Sequence, residues 1–63
     1  MIGEKLKECR LRKGLTQGDV AALLNMNRTT YTKYESDVTE PSFATLRKIT
    51  ELFEVDYNYL FGD

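Results

Sequence analysis

The sequence has no histidine or tryptophan and only one cysteine, Cys9, among its 63 residues. A single cysteine excludes an internal disulfide, and we expect it to be a small, buried hydrophobic side chain. Zinc sites are ordinarily built from three or four histidine and cysteine ligands, so no metal site is predicted. The chain also offers no nucleophile–base pair and no glycine-rich phosphate-binding loop. We therefore predict that the protein is not an enzyme and uses no cofactor.

Long apolar runs are missing as well. No segment approaches the roughly 20 apolar residues that a membrane span requires. The first residues, MIGEKLKECRLRKG, carry charges throughout and do not resemble a signal peptide. The sequence thus predicts a single domain over residues 1–63, a cytoplasmic location and no membrane partner.

The charges are divided unevenly along the chain. The net charge is −1, but residues 1–48 sum to +3 and residues 49–63 sum to −4, since all nine lysines and arginines precede residue 49. Binding of a polyanion depends on the local field and not on the total charge. The distribution therefore permits DNA binding by the first part of the chain and argues against it at the C-terminus.

Apolar residues recur at helical spacing in five segments, and no strand pattern is visible. In the first segment, Ile2, Leu6 and Cys9 form one stripe, which Lys13 extends through its aliphatic stem. In the fourth, Phe43 begins the stripe. The later segments follow good N-cap residues, namely Thr16 (with Asp19 completing a capping box), Asn27, Ser42 and Asp56. The pattern predicts an all-α, compact five-helix bundle with helices at 2–13, 16–24, 27–36, 42–53 and 56–61.

The third predicted helix has two different faces. Tyr31 and Tyr34 point one way and are expected to be buried, whereas the opposite face carries Arg28, Thr29, Thr32 and Lys33. Such a face suits the major groove of DNA, because arginine and lysine bind guanine edges and threonine offers a hydroxyl and a methyl group. An ordinary solvated surface explains the same pattern, so the helix alone does not decide between the two interpretations.

The order and spacing of residues along nearly the whole chain give stronger evidence. The residues concerned are Leu6–Cys9–Arg10, Gly14-Leu15-Thr16-Gln17, Val20-Ala21, Leu24, Tyr31 through Glu35, Pro41-Ser42, Leu46-Arg47-Lys48-Ile49 and Tyr59-Leu60-Phe61. In these residues the sequence resembles the Xre/Cro-type helix-turn-helix repressors, the group of the lambda and 434 phage repressors. The resemblance implies a lambda repressor-like DNA-binding domain whose recognition helix, 27–36, enters the major groove.

The resemblance also implies roles for individual residues. Base edges would be read by Arg28, Thr29 and Lys33. The DNA backbone would be contacted by Gln17, Thr30, Thr32 and the amides of Ser42 and Phe43. Arg10 and Glu35 match a pair that the family uses as a structural salt bridge between the first helix and the end of the third.

Three positions depart from the family pattern. Asn25 and Asp37 stand where glycine is common, and both residue types tolerate the left-handed conformation expected there. Asp37 also adds a negative charge close to the expected path of the phosphates. Gly18 replaces a helix-forming residue in the second helix, at a cost of about 1 kcal/mol relative to alanine.

The leading hypothesis from the sequence is a transcriptional repressor or regulator that binds a specific double-stranded operator. A homodimer on an inverted repeat is expected, because one recognition helix covers only a few base pairs. Its interface is predicted at Tyr57, Tyr59 and Phe61, although Phe61 could instead close the monomer core. The alternative function is a protein-interaction module of the same fold, either antitoxin-like or a co-regulator. No small-molecule ligand is evident.

Overall fold

The fold is entirely helical in the part of the chain that the structure describes. The computed structural model describes residues 2–62, and this confirms the all-α, five-helix prediction. The helices are α1 (Gly3–Arg12), α2 (Gln17–Leu23), α3 (Arg28–Glu35), α4 (Phe43–Phe53) and α5 (Tyr57–Phe61). The predicted ranges were longer by one or two residues because they included the caps. None of the described helices is long and apolar enough to cross a membrane.

Local capping starts four of the helices where the sequence predicts. The side chains of Asn27, Ser42 and Asp56 each accept a hydrogen bond from the amide three residues later. Thr16 does the same, and the Asp19 carboxylate accepts from the Thr16 amide in return, both at 3.0 Å. These contacts satisfy amides that have no partner within the helix, so each helix begins at a defined residue.

Helix α1 is capped by a distant residue instead. Its N-cap, Ile2, makes no side-chain capping bond, and the Gly3 amide donates to the Asp37 carboxylate at 3.0 Å. The carboxylate thus lies at the positive end of the α1 dipole, which favours a negative charge. Asp37 itself has the left-handed conformation that the sequence predicts, with φ of 61°.

The chain turns sharply through left-handed residues after α1, α2 and α4, as it does after α3 at Asp37. Asn25 adopts positive φ as predicted, at 60°, and Gly14 does so at 72°. Glu54, at the C-cap of α4, does so as well, with φ of 58°, and the sequence did not predict this. A glutamate is an unusual choice there because its Cβ crowds the following carbonyl.

The core lies between the helices and is filled by the residues that helical spacing places inward. Leu6, Val20, Tyr31, Ile49 and Leu60 are its largest fully buried side chains. Two predicted core positions were wrong. Lys13 is exposed because it is already the C-cap of α1. Phe43 is 68% exposed because it opens the first turn of α4, outside the packed face.

Helices α1 and α3 approach each other closely at Gly3. A Cβ added at this glycine would overlap the carbonyl oxygen of Glu35. Only glycine permits this distance, because any other residue carries a Cβ. The contact sets where the start of α1 lies against the end of α3.

Candidate nucleic-acid interface

The outer face of α3 presents all three predicted base-contacting residues. Arg28, Thr29 and Lys33 are exposed, whereas Tyr31 and Tyr34 are buried. The two tyrosine rings meet edge to face, with centroids 6.3 Å apart. The buried rings hold the helix on the core, so the polar face is presented at a defined orientation.

Thr30 and Thr32, the two threonines predicted to contact phosphates, lie half-buried at the edges of that face and use their hydroxyls within the domain. The Thr32 hydroxyl donates to the side-chain oxygen of Gln17 at 3.0 Å, and the Thr30 hydroxyl donates to the side-chain oxygen of Asn27 at 3.1 Å. Thr32 therefore does not belong to the fully exposed strip, because α2 packs along its side of α3.

The Arg10–Glu35 ion pair is formed, and it is buried. The Arg10 Nε lies 2.7 Å from Glu35 Oε2, and the two side chains are 10% and 5% exposed. Arg10 Nη2 donates to Glu35 Oε1 at 3.2 Å, and Nη1 donates to the carbonyl of Leu15 at 2.9 Å. The fork of arginine thus binds both the end of α3 and the loop before α2.

Gln17 completes this cluster. Its side-chain nitrogen donates to Glu35 Oε1 at 3.1 Å, so a single carboxylate oxygen accepts from both Gln17 and Arg10. Sequence reasoning missed this contact because Gln17 and Glu35 are 18 positions apart, and no local pattern links them.

The hydrogen bonds decide the charge state of Glu35. Burial alone would raise the pKa of the carboxyl group, but hydrogen bonds from Arg10 and Gln17 and the Arg10 charge outweigh burial and hold the pKa below its ordinary value. The hydrogen bond to Glu35 likewise raises the pKa of Arg10. The pair is therefore fully charged at neutral pH.

A shallow groove opens beside the cluster between α1, α2 and α3. Its volume is about 270 Å³, and it is lined by Lys7, Arg10, Gln17, Thr32, Glu35 and Ser36. Lys7 is exposed at the groove. The Lys7 ammonium group and the Gln17 side-chain amide at this groove are donors that suit a phosphate group, which carries a negative charge and only accepts hydrogen bonds.

The start of α4 offers backbone donors. Ser42 caps the helix by accepting from the Thr45 amide at 3.2 Å, and its hydroxyl donates to the Thr45 hydroxyl at 3.1 Å. The first amides of a helix have no partner within it and point toward the solvent end. The nearby Asp37 carboxylate, whose charge the sequence placed near the phosphates, is turned toward α1.

Three aromatic rings form a separate aromatic edge, which we define as the exposed Phe43 and Phe61 and the half-buried Tyr57. Phe43 stacks on Tyr57 with centroids 5.6 Å apart and planes inclined by 24°. Phe61 is 55% exposed, and Leu60 rather than Phe61 closes the monomer core. Phe43 was not among the predicted interface residues, although its place directly after a Pro-Ser start is a signal that it lies outside the core.

Tyr59, the third residue of the predicted dimer interface, is held within the domain. Its hydroxyl accepts from Arg12 at 2.9 Å and donates to Glu8 at 3.4 Å. The Lys5 ammonium group lies 4.5 Å from the centre of its ring, a cation–π contact. Tyr59 thus links α5 to α1, and these contacts occupy its hydroxyl and its ring.

Cys9 has the structural role expected of it. It is 2% exposed, and burial raises the pKa of its thiol, which disfavours the reactive thiolate. In the described part of the chain, no three His, Cys, Asp or Glu side chains cluster in a way that could hold a metal ion.

Comparison with known proteins agrees with this geometry. A family model described as Helix-turn-helix matches residues 6–60. The chain belongs to the helix-turn-helix family. Within this family, the resemblance to the Xre/Cro-type regulators that the residues predicted is confirmed, and α2 and α3 are the two helices of the motif.

Curated relatives are found in Bacillus subtilis. The chain is 42% identical over 60 residues to the uncharacterized HTH-type transcriptional regulator YqaE, covering 95% of this chain and 52% of that protein. It is 38% identical over 61 residues to the HTH-type transcriptional regulator ImmR, covering 97% and 48%. It is 36% identical over 63 residues to the uncharacterized HTH-type transcriptional regulator YqaF, covering 100% and 83%.

The chain therefore spans about half the length of YqaE and ImmR. No solved structure matches it.

Proposed function

We propose that the chain binds a specific double-stranded DNA site and regulates transcription as a repressor, with α3 lying in the major groove. The observation that carries this proposal is the exposed polar face of α3 over its buried tyrosine pair. The names of the relatives, which are transcriptional regulators, support it. A domain that occupies an operator in this way represses by excluding other proteins from the same DNA.

Arg28, Thr29 and Lys33 are the base readers in this proposal. All three are exposed on α3, and Arg28 and Thr29 lie in its first turn, which is the part that reaches deepest into the groove in helix-turn-helix complexes. Arginine can donate two parallel hydrogen bonds to O6 and N7 of one guanine. Arg28 is therefore the residue from which we expect most of the base discrimination.

Backbone contacts would position α3 on the duplex. Gln17 faces the groove described above, and the amides of Ser42 and Phe43 at the start of α4 suit a phosphate. Thr30 can join them only if its hydroxyl turns away from Asn27. Such contacts determine the register of the protein on DNA without reading the sequence.

The first experiment is selection of bound sequences from a random duplex library, repeated with Arg28→Ala. We expect the wild type to enrich an inverted repeat. The variant should lose preference at one base pair per half-site, at a cost of about 1–3 kcal/mol. Arg47→Ala removes the same charge from the exposed face of α4 and should leave the preferred bases unchanged.

The outcome of the selection also separates the two function classes. Enrichment that is identical for wild type and Arg28→Ala would contradict base reading by Arg28. No enrichment at all by a folded protein would instead favour the alternative, a protein-interaction module that uses the aromatic edge.

We also propose that the domain dimerises on DNA through the aromatic edge of Phe43, Tyr57 and Phe61. Aromatic residues are enriched in protein interfaces, and Phe43 and Phe61 of this edge are 68% and 55% exposed. Sedimentation of a Tyr57→Glu, Phe61→Glu variant tests this surface, both free and bound to the selected inverted repeat. Leu11→Glu is the control, because Leu11 is an equally exposed apolar residue on α1 at 57%.

A dimer that persists in the Tyr57→Glu, Phe61→Glu variant would contradict this interface. We further propose that the domain acts in the cytoplasm, and that DNA binding requires no catalysis and no cofactor from it.

A further inference from the structure

The Gln17 side chain lies between two residues of α3. Its nitrogen donates to Glu35 Oε1 at 3.1 Å, and its oxygen accepts from the Thr32 hydroxyl at 3.0 Å. Thr32 and Glu35 are one helical turn apart, so they lie on the same side of α3. Both polar atoms of the Gln17 amide are therefore held by α3.

Glu35 decides which way the Gln17 amide faces. An ionised carboxylate only accepts hydrogen bonds, so the amide nitrogen must face Glu35 and the oxygen must face Thr32. The opposite orientation would place the amide oxygen against a carboxylate that is 5% exposed. Arg10 holds that carboxylate in place by binding both of its oxygens.

This arrangement determines which hydrogens remain for a ligand. Thr32 has one hydroxyl hydrogen, and Gln17 receives it. The Gln17 nitrogen has two hydrogens, and only one contact from it, to Glu35, is found among residues 2–62. The second hydrogen is therefore the one that remains for the groove lined by Lys7, Thr32 and Ser36. A phosphate oxygen needs such a donor, because it only accepts.

We infer that Thr32 and Glu35 are positioning residues that orient Gln17 to donate its second amide hydrogen to a DNA phosphate, and that Thr32 does not contact the phosphate itself. The inference rests on the proposed DNA-binding function and assigns Thr32 a different role within it. Because Gln17 belongs to α2, the arrangement also makes the phosphate contact depend on the seating of α3 against α2.

A double-mutant cycle with Thr32→Val and Gln17→Ala tests the inference. Valine keeps the shape of threonine and removes only the hydroxyl. In the wild-type background, Thr32→Val should weaken binding to the selected duplex and to random duplex alike by about three- to tenfold, as expected for one hydrogen bond. In the Gln17→Ala background, the same substitution should have no further effect.

Two controls accompany the double-mutant cycle. Thr32→Ser keeps the hydroxyl and should bind DNA with the affinity of the wild type. The dependence of affinity on salt should be unchanged in Thr32→Val, because an amide releases no counterions. Lys7→Ala should lower the salt slope by about 0.9 if Lys7 contacts a phosphate in the same groove.

The free protein provides a second readout, which does not depend on DNA. Only one of the two amide hydrogens of Gln17 faces a carboxylate in the wild type, so their NMR resonances should be more widely separated than those of a solvent-exposed glutamine. Thr32→Val should reduce the separation toward that of a solvent-exposed glutamine, and Thr32→Ser should not. Gln17 resonances that are unchanged in Thr32→Val would overturn the positioning role.

The outcomes distinguish this inference from the proposed function. A wild-type protein that binds no duplex overturns both. A wild type that binds, with an equal loss from Thr32→Val in both backgrounds, overturns only the positioning role and shows that Thr32 contacts DNA directly.

Discussion

Two arginines of the same helix, two residues apart, have opposite surroundings. Arg10 lies in what we call the buried junction, the contact of Gly3 and Arg10 with Glu35 and Asp37 at the end of α3. Arg12 lies in what we call the charged rim, the exposed contacts of Arg12 with Tyr59 and of Lys13 with Glu54. Arg12 donates to the Tyr59 hydroxyl, and Lys13 pairs with Glu54 at 3.5 Å. The two regions use the same residue types, yet only in the first are the side chains withdrawn from water.

The number of ion pairs therefore says little about what stabilises this domain. The Lys13–Glu54 pair has side chains that are 36% and 77% exposed, so water screens it and holding it costs side-chain entropy. The Arg10–Glu35 pair is desolvated, so its gain in attraction is largely offset, but neither partner can be left alone. Its main consequence is a unique seating of α3 on α1 and α2.

The largest expected effect comes from removing one partner of the buried pair. Arg10→Ala should lower the free energy of unfolding by about 3–5 kcal/mol, because the Glu35 carboxylate stays buried without a cation. Lys13→Ala in the charged rim should change the free energy of unfolding by less than about 1 kcal/mol. Urea unfolding followed by circular dichroism measures both.

A double variant shows whether the loss comes from the unpaired charge. Arg10→Met with Glu35→Leu removes both charges and should recover most of the stability that Arg10→Ala loses. If Arg10→Ala and Lys13→Ala lose the same free energy of unfolding, the buried pair is no more important for stability than the exposed one, and the proposed difference between the two regions is wrong.

The next largest change in stability is expected at Gly3, and Gly18 provides the comparison. Gly3→Ala should destabilise the domain by about 1–3 kcal/mol, because the new Cβ overlaps the backbone of α3 and forces the helices apart. At Gly18 a Cβ would meet nothing closer than the Thr16 hydroxyl at 3.8 Å. Gly18→Ala should therefore stabilise the domain by up to about 1 kcal/mol through helix propensity.

Thermal unfolding of the two glycine variants shows directly whether each substitution raises or lowers the stability. A Gly3→Ala variant as stable as the wild type would show that α1 and α3 can separate without loss, and the buried junction would not be tight.

The smallest effect is expected from acid. The pKa of Glu35 is lower in the folded protein than its ordinary value of 4.5, so the stability it contributes is present above the unfolded pKa and is lost as pH falls through the folded pKa. Lowering the pH from about 6 to about 3 should therefore destabilise the wild type more than Glu35→Gln, which cannot lose that charge. Asp19, whose pKa the Thr16 hydrogen bonds also lower, leaves some acid sensitivity in both. Equal acid sensitivity of the two proteins would contradict the role of Glu35.

Much of the fold could be predicted from the sequence because the signals are local. N-cap residues act on amides three positions away, and helical spacing separates Tyr31 and Tyr34 from the polar face of α3. The exposed positions of Arg28, Thr29 and Lys33 follow from the same periodicity. Their contacts with DNA remain proposals.

The parts that could not be predicted join residues far apart in the chain. The Gly3–Asp37 capping contact spans 34 positions, and the hydrogen bond from Gln17 to Glu35 spans 18. Phe43 was placed in the core because periodicity does not show where the packed face of a helix begins. Arg10 and Glu35 were paired by family resemblance, since by charge and spacing both look like surface residues.

Local sequence determines where α2, α3, α4 and α5 begin, which helix faces are apolar and which polar residues α3 can offer to DNA. Those properties depend on neighbouring residues and on the period of the helix. Which polar groups are withdrawn from water depends instead on how the helices pack. Burial next to α1 turned Glu35 into a charge that must be paired, and its pairing placed Gln17 and Thr32 in fixed orientations. The energy of a charge depends on its solvation, and solvation is set only when the helices pack.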